Sequence, residues 1–347
     1  MPIIQHLIAD QFGSHIGKYQ GRLKVTQGKE TLAQAPIIHL ETVTIASSGV
    51  SISADAIRAC TEHGIPIHFL SSTGTPYASL YSAGLIGTVL TRRAQLLACT
   101  KASAWQLGLA FAQGKIENQA ILLKYIAKYR KTSNPALHQE LNLLATEVRD
   151  HLAELDALAA ICQREGLLID DIRSQLLSAE GRAAQKYWQG LKLVLPEELN
   201  WPGRQGRGAR DPFNSALNYG YGILYAQIER ATILAGLDPY AGFVHVDRPG
   251  KPSLVLDLIE EFRTAIVDRT ILGMVNRRMP LEQDERGLLT QSTRRQIAEK
   301  VLNRLDSKET HHGKQYSLRQ IIQIQAREVA AFIRGDRENY QPFISSW

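Results

Sequence analysis

Cysteine is scarce in this sequence, and its thiols form no recognisable motif. The 347 residues include three cysteines, Cys60, Cys99 and Cys162, which lie far apart and form no C-x-x-C pair. An odd number of scattered thiols does not match the disulfide framework of a small secreted domain. The sequence therefore predicts a protein of the reducing cytoplasm.

Long apolar runs and a secretory leader are also missing. No run of uncharged apolar residues reaches the roughly 18 needed to cross a membrane as a helix. The first residues, MPIIQHLIADQFGSHIGKYQ, lack a positively charged segment followed by a long apolar core. We therefore expect a soluble protein that remains in the cytoplasm and makes no membrane contact.

Positive charge is present in excess. Lys and Arg outnumber Asp and Glu by 40 to 34, which gives a net charge of +6 and a pI near 9.2. This balance suits a polyanionic partner, although a basic composition alone does not identify one. A chain of 347 residues also exceeds what one hydrophobic core usually supports, so two domains are expected.

Residues 1–88 show short β-prone runs separated by turn residues. The runs 22–26 and 31–35 flank Gln-Gly-Lys and predict a hairpin. Ser53 is a suitable N-cap for one short helix that Gly64 would end. The pattern predicts a mostly-β N-terminal domain over residues 1–88.

Helical periodicity replaces this pattern in the rest of the chain. We predict an all-α domain over residues 89–347, and hence an α+β fold with a small β domain and a larger helical domain. A polar, glycine-rich loop near residues 196–210 interrupts the helices. The predicted helical segments are 92–113, 116–131, 136–165, 169–189, 214–235, 254–274, 294–306 and 318–334.

Two groups of basic residues are candidates for contacts with a phosphate backbone. Lys124 and Lys128 are one helical turn apart and share a face, in a region with eight basic residues and one acid between residues 92 and 131. The glycine-rich loop carries Arg204, Arg207 and Arg210. A solvated helix face and a plain surface loop explain the same residues without a partner.

The segment LVLDLIEEFR concentrates carboxylates in apolar surroundings. Asp257, Glu260 and Glu261 stand at i, i+3 and i+4, so two or three carboxylates share one face of a helix that is apolar on almost every side. Buried carboxylates need a cation or hydrogen-bond donors. That cation is either Arg263, in a structural ion pair, or a divalent metal.

His245 precedes a Pro-Gly loop, VDRPGKPS, that would fold back toward the acidic helix. A histidine at such a position is more commonly a core residue than a ligand. Glu180, in AEGRAAQKYW, is a further candidate because the small residues after it permit close helix approach. Arg248 and Lys251, in the loop after His245, are candidate phosphate contacts or exposed loop charges.

Several long segments resemble one known family. The run from 211 to 263, DPFNSALNYGYGILYAQIERATILAGLDPYAGFVHVDRPGKPSLVLDLIEEFR, is similar to the signature stretch of the CRISPR-associated Cas1 integrases, and EGRAAQKYW resembles their first acidic motif. KIENQAILLKY, ISADAIRACTEHGIPIHFLSSTGTPYASL and YQPFISSW also resemble family segments. The resemblance covers nearly the whole chain with long, ordered and dispersed motifs.

The resemblance implies a site and a reaction. It places metal ligands on Glu180, His245 and Glu260, with Asp257 as a supporting or alternative catalytic acid. Two carboxylates and one imidazole suit Mg²⁺ or Mn²⁺, which would orient a DNA 3′-hydroxyl for attack on a phosphodiester. The resemblance also implies a homodimer formed through the β domains, a Cas2 partner, and insertion of a short DNA duplex, the new spacer, at a CRISPR repeat.

Two other functions are compatible with the same residues. The first alternative is a general metal-dependent nuclease for branched or repair DNA intermediates. The second is a non-catalytic DNA-binding scaffold whose acidic helix is neutralised by Arg263. Substrate preference separates the nuclease from the integrase. Metal-independent DNA binding without strand transfer would indicate the scaffold.

Overall fold

The structure, a computed structural model, describes residues 4–81, 89–206 and 208–347. Strands dominate the N-terminal part and helices the remainder, so the predicted α+β class is confirmed. The chain forms two compact units: Met1–Ile86 with Gly206–Ala226 and Pro280–Leu302, and Gly87–Gln205 with Gln227–Met279 and Asn303–Trp347. The predicted domain boundary after residue 88 adjoins residues 82–88, outside the described residues, and stays a prediction.

Two small sheets and one helix form the N-terminal part. The first sheet has the order β1-β5-β7-β8, with β1, β5 and β7 parallel, and the second has the order β4-β3-β2-β6. The elements are β1 His6–Ala9, β2 His15–Tyr19, β3 Arg22–Gln27, β4 Glu30–Pro36, β5 Thr42–Ile45, β6 Ser51–Ile52, α1 Ala54–Glu62, β7 Ile67–Leu70 and β8 Pro76–Leu80. A 3₁₀ turn, Ile37–His39, follows β4.

The sequence signals in this part correspond to real local structure. β3 and β4 form the predicted hairpin. Ser53 Oγ accepts a hydrogen bond from the backbone N–H of Ala56, as an N-cap does, and Gly64 has φ +66° just after α1. Apolar residues of both sheets and of α1 form one core, with Ile16, Leu23 and Val43 fully buried.

Helices make up most of the remaining chain. They are α2 Val89–Ala98, α3 Ala102–Lys128, α4 Pro135–Asp150, α5 Leu152–Glu165, α6 Ile169–Lys192, α7 Pro212–Leu234, α8 Ser253–Phe262, α9 Arg269–Asn276, α10 Gln291–Asp306 and α11 Leu318–Arg334. A 3₁₀ turn, Glu197–Leu199, follows α6, and a π-helical segment, Arg263–Asp268, joins α8 to α9. No described helix has the length and apolar character that crossing a membrane requires.

The long helix α3 occupies the centre of the second unit. It packs against α4, α6 and α8, and most of its residues are buried. Gly114 lies inside it because a β-carbon there would stand 2.9 Å from Pro342 Cβ and 3.0 Å from Glu261 Cγ. Close packing therefore requires this glycine, and the predicted break between residues 113 and 116 was wrong.

Other details differ from the predicted helices. The predicted helix over 92–113 is interrupted, because α2 ends at Ala98 and α3 begins at Ala102. The predicted helix over 136–165 is two helices, because the chain turns at His151 between α4 and α5. The predicted all-α region also contains a hairpin, β9 Lys308–His311 and β10 Lys314–Ser317, paired antiparallel. His312, with φ +48°, and Gly313, with φ +73°, form its turn, a signal that the sequence carries as His-His-Gly.

Candidate active site

Asp257, on α8, anchors the loop that carries His245. Its side chain is fully buried, and its oxygens accept backbone N–H groups from Phe243 at 2.6 Å, Val244 at 3.0 Å and His245 at 2.9 Å. Gly242 permits this approach, since a β-carbon there would stand 2.5 Å from Ser253 Cβ. The Pro-Gly loop thus folds back onto α8, as its sequence predicted.

The same carboxylate orients the His245 ring. His245 Nδ1 lies 2.7 Å from Asp257 Oδ1. Because Asp257 already accepts three backbone N–H groups, it acts as an acceptor here and His245 Nδ1–H as the donor. The tautomer that donates from Nδ1 carries a free lone pair on Nε2, which is the atom a metal ion or an acidic proton would contact.

Glu260 lies one turn further along α8, between two cations. It is 5% exposed. Arg263 Nη1 is 2.8 Å from Glu260 Oε1, and Lys115 Nζ is 2.9 Å from Glu260 Oε2. Arg263 therefore forms an ion pair with Glu260, which is the structural ion pair that the sequence offered as one of two cations for the acidic helix.

Lys115 joins Glu260 to the third candidate acid. Its ammonium, on α3, also contacts Glu180 Oε1, so carboxylates from α6 and α8 converge on one nitrogen atom. The sequence analysis missed this residue. It is the single cation in the otherwise uncharged or apolar first half of α3, and a lone lysine in such a stretch is a detectable signal of a buried acidic partner.

Charge pairing overcomes the cost of burial at these groups. Burial by itself would lower the pKa of Lys115, but Glu260 and Glu180 outweigh it and raise that pKa. Burial likewise opposes ionisation of Glu260, but Arg263, Lys115 and a smaller effect of His245 lower its pKa to about 2. The carboxylate of Glu260 is therefore charged throughout the neutral range.

A buried hydrogen bond links α6 to the π-helical segment that follows α8. Tyr187, two turns after Glu180, donates its hydroxyl to Asp268 Oδ2 at 2.6 Å, and both residues are buried. Asp268 ends the π-helical segment, a geometry often found at functional sites. The bond helps to fix α6, which carries Glu180, relative to the segment after α8, the helix that carries Glu260.

Glu261 binds the C-terminal segment instead of the site. Its fully buried carboxylate accepts the Tyr340 hydroxyl at 2.6 Å, the Phe343 N–H at 2.9 Å and the Gln325 amide at 3.0 Å. The Asn118 amide donates to the Phe343 carbonyl, and its Oδ1 accepts the Ser345 N–H. Burial raises the pKa of Glu261 to about 7.

The candidate ligands are close but not clustered around one point. Glu180 and Glu260 both pair with Lys115, and His245 contributes to lowering the pKa of Glu260. The three side chains do not bring ligand atoms within 4.8 Å of one another. Lys115 lies between the two acids, and the Nδ1 edge of His245 is bound to Asp257.

The candidate phosphate-binding residues are mostly exposed. Arg204 is half-buried, with its guanidinium 5.8 Å from the centre of the Trp188 ring. Arg248 and half-buried Lys251 are the two ends of a tight turn, with a backbone hydrogen bond of 2.9 Å. Arg207 lies outside the described residues. The exposed members of the set are Lys124, Lys128, Arg210 and Arg248.

The fold and the site define an α+β protein with a β-rich N-terminal part and a helical part. In the helical part, acids from two helices converge on one half-buried lysine near a histidine. A model of the family described as CRISPR associated protein Cas1 matches residues 7–303. The chain belongs to this family, as its motifs predicted.

Relatives with the same family name match along the whole chain. The CRISPR-associated endonuclease Cas1 1 of Archaeoglobus fulgidus is 38% identical over 352 residues, covering 98% of this chain and 99% of the relative. The CRISPR-associated endonuclease Cas1 1 of Francisella tularensis subsp. novicida is 32% identical, covering 99% and 100%. The family assignment therefore rests on both units of the chain.

Solved structures share the fold. A casposase bound to an integration product has a TM-score of 0.79 at 21% identity, covering 97% of this chain and 93% of its own. Cas1 from Thermotoga maritima has a TM-score of 0.73 at 17% identity, covering 98% and 100%. At this level of identity the likeness concerns the fold alone.

Proposed function

We propose that this chain is a metal-dependent DNA endonuclease and integrase of CRISPR adaptation. It would join the 3′-hydroxyl ends of a short DNA duplex to the repeat array by transesterification. One observation carries the proposal: Glu180 and Glu260, from different helices, converge on the ammonium of Lys115, whose side chain is 15% exposed. Two acids held together in this way at a helix crossing suit a site for a divalent cation.

The donor set fits Mg²⁺ or Mn²⁺. Glu180 and Glu260 would supply carboxylate oxygens, and His245 would supply Nε2, because Nδ1 is bound to Asp257. Asp257 has both oxygens engaged by protein N–H groups, so we assign it the positioning of His245 instead of direct ligation. When bound, the ion would polarise the scissile phosphate and activate the attacking hydroxyl.

The protein's own cations have a distinct role in this mechanism. Lys115 and Arg263 neutralise the two glutamates, so an added divalent ion leaves the site with excess positive charge. That charge would attract a phosphodiester and stabilise the negative charge on its oxygens during attack. Lys115 would also keep Glu180 and Glu260 together before the ion binds.

The basic residues would hold DNA outside the reacting centre. We propose phosphate contacts for Lys124, Lys128, Arg204, Arg207, Arg210, Arg248 and Lys251. Long, flexible cations on exposed surfaces suit sequence-independent contact with a backbone. We further propose that the chain forms a homodimer, binds a Cas2 partner and acts on double-stranded DNA in the cytoplasm. One solved structure with the same fold carries the name Cas6-RT-Cas1–Cas2 complex.

One observation favours a different function. The ion pairs of Glu260 with Lys115 and Arg263 satisfy a buried carboxylate without a metal, as a non-catalytic DNA-binding scaffold would require. A scaffold would bind DNA equally well in EDTA and would transfer no strand. The experiment for the main proposal therefore has to measure DNA binding and strand transfer separately.

The proposal is tested by integration of a fluorescent DNA duplex into a repeat-containing plasmid in the presence of Cas2. Wild type, His245→Ala and Glu180→Gln are compared in Mn²⁺ and in EDTA. The matched control is Glu147→Gln, because Glu147 pairs with Lys186 at 2.8 Å on α4 and α6, apart from the proposed ligands.

We expect integration by wild type and Glu147→Gln in Mn²⁺ only, and none by the two site variants. Persistent integration by His245→Ala would refute the site. Tight DNA binding without strand transfer under any condition would indicate the scaffold. Cleavage of branched DNA without integration would indicate the general nuclease.

A further inference from the structure

A second group of metal-ligand side chains lies where the β9–β10 hairpin packs on α11. His311, His312 and Glu328 each place a ligand atom within 4.8 Å of the others. His311 and Glu328 are 7% and 8% exposed, whereas His312, in the hairpin turn, is 41% exposed at its side chain. None of these residues belongs to the site proposed above.

Two buried atoms of this group have no hydrogen-bond partner. They are Nε2 of His311 and Oε2 of Glu328. The other carboxylate oxygen of Glu328 is engaged, with His312 Nε2 at 3.2 Å and Arg337 in contact. A buried acceptor and a buried ring nitrogen without partners are costly, and one cation between them would satisfy both.

We propose that His311, His312 and Glu328 bind a divalent transition-metal ion, with Zn²⁺ the ion that fits best. Two imidazoles and one carboxylate form the ligand set of many zinc sites and leave a fourth position for water. Magnesium and calcium prefer oxygen ligands and fit less well.

The ion would have a structural role. It would link the turn of the hairpin to α11, the helix whose Gln325, one turn before Glu328, binds Glu261 and Tyr340. Metal binding would thus stabilise the docking of the hairpin and of the C-terminal segment on α11.

The test uses Zn²⁺ alone as the probe, with full-length protein stripped by a chelator. Zinc affinity is measured by competition with a chromophoric chelator, and thermal stability is measured with and without zinc. Glu180→Gln serves as the background throughout, so zinc at the proposed active site does not contribute. The variants are His311→Ala, His312→Ala and Glu328→Gln, and the matched control is His39→Ala, an exposed histidine.

We expect one zinc ion per chain in the Glu180→Gln background and in the His39 control. Each ligand variant should lose at least about tenfold in affinity and its zinc-dependent rise in melting temperature. His312→Ala keeps the test valid if the two buried variants misfold, because His312 is exposed. Equal zinc affinity in the background and in His312→Ala would overturn the proposal.

Arg337 provides a second, independent measurement. Arg337→Gln removes a positive charge beside Glu328, so a metal site should bind zinc more tightly in this variant. If the group is instead only an ion-pair cluster, Arg337→Gln lowers stability and leaves zinc affinity unchanged. That result would also overturn the proposal.

Discussion

Asp257 acts on the site through His245. Replacing Asp257 by Asn places an amide N–H₂ against backbone donors and weakens the bond that fixes the His245 tautomer. We expect Asp257→Asn to raise the Mn²⁺ concentration for half-maximal strand transfer by about 10–100-fold. Asp156→Asn is the control, since Asp156 is exposed on α5, apart from the loop that carries His245. An unchanged Mn²⁺ requirement would contradict the positioning role.

Glu261 gives a pH prediction for stability. Burial raises its folded-state pKa from 4.5 to about 7, so the folded chain binds the proton more tightly than the unfolded chain. Its contribution to stability is fully present below pH 4.5 and is lost as pH rises through about 7. The total effect is about 3 kcal/mol, at about 1.4 kcal/mol per pH unit.

Urea unfolding of wild type and Glu261→Gln checks this prediction. The wild-type free energy of unfolding, relative to that of the variant, should fall as pH rises from 4.5 to 7. The amide does not titrate, so the variant lacks this component. A difference between the two proteins that is constant with pH would contradict the assignment of the raised pKa to Glu261.

At the scale of elements, the buried bond between α6 and the π-helical segment ties Glu180 to the acidic helix. Tyr187→Phe removes a buried donor to Asp268 and should lower the free energy of unfolding by about 1–3 kcal/mol. Strand transfer at saturating Mn²⁺ should also fall, because Glu180 loses its fixed position. Tyr77→Phe, at an exposed tyrosine, should change neither quantity. Full activity with lowered stability would show a purely structural bond.

Helix existence and caps followed from local sequence signals. Ser53, Gly64 and the apolar periodicity predicted α1 and most helices, and α11 begins and ends within the predicted segment. The break predicted between residues 113 and 116 was wrong, because Gly114 lies inside α3, where it permits close packing. Packing partners far along the chain decided that position, and sequence periodicity does not contain them.

The candidate site was predictable only in part for the same reason. The acidic pattern of α8 and the fold-back loop indicated Asp257, Glu260 and His245 from local spacing. Lys115 lies 65 residues from Glu180 and 145 from Glu260 in the chain, and only the crossing of α3, α6 and α8 brings them together. The division of roles between Asp257 and the other acids depends on hydrogen bonds that spacing does not reveal.

At the scale of the whole molecule, a net charge of +6 and exposed lysines on α3 predict salt-sensitive DNA binding. The double variant Lys124→Ala/Lys128→Ala should reduce the slope of log Kd against log salt by about 0.9 for each lost phosphate contact. Lys29→Ala, at an exposed turn, is the control and should leave the slope unchanged. An identical slope in the double variant would remove α3 from the DNA interface.

The most direct test of the central claim is the number of Mn²⁺ ions bound per chain, measured from the loss of the free-ion signal in electron paramagnetic resonance. Glu180→Gln and Glu260→Gln should each bind one ion fewer than wild type, whereas Glu147→Gln should match wild type. Equal Mn²⁺ binding by wild type and both site variants would contradict a metal site at Glu180, His245 and Glu260.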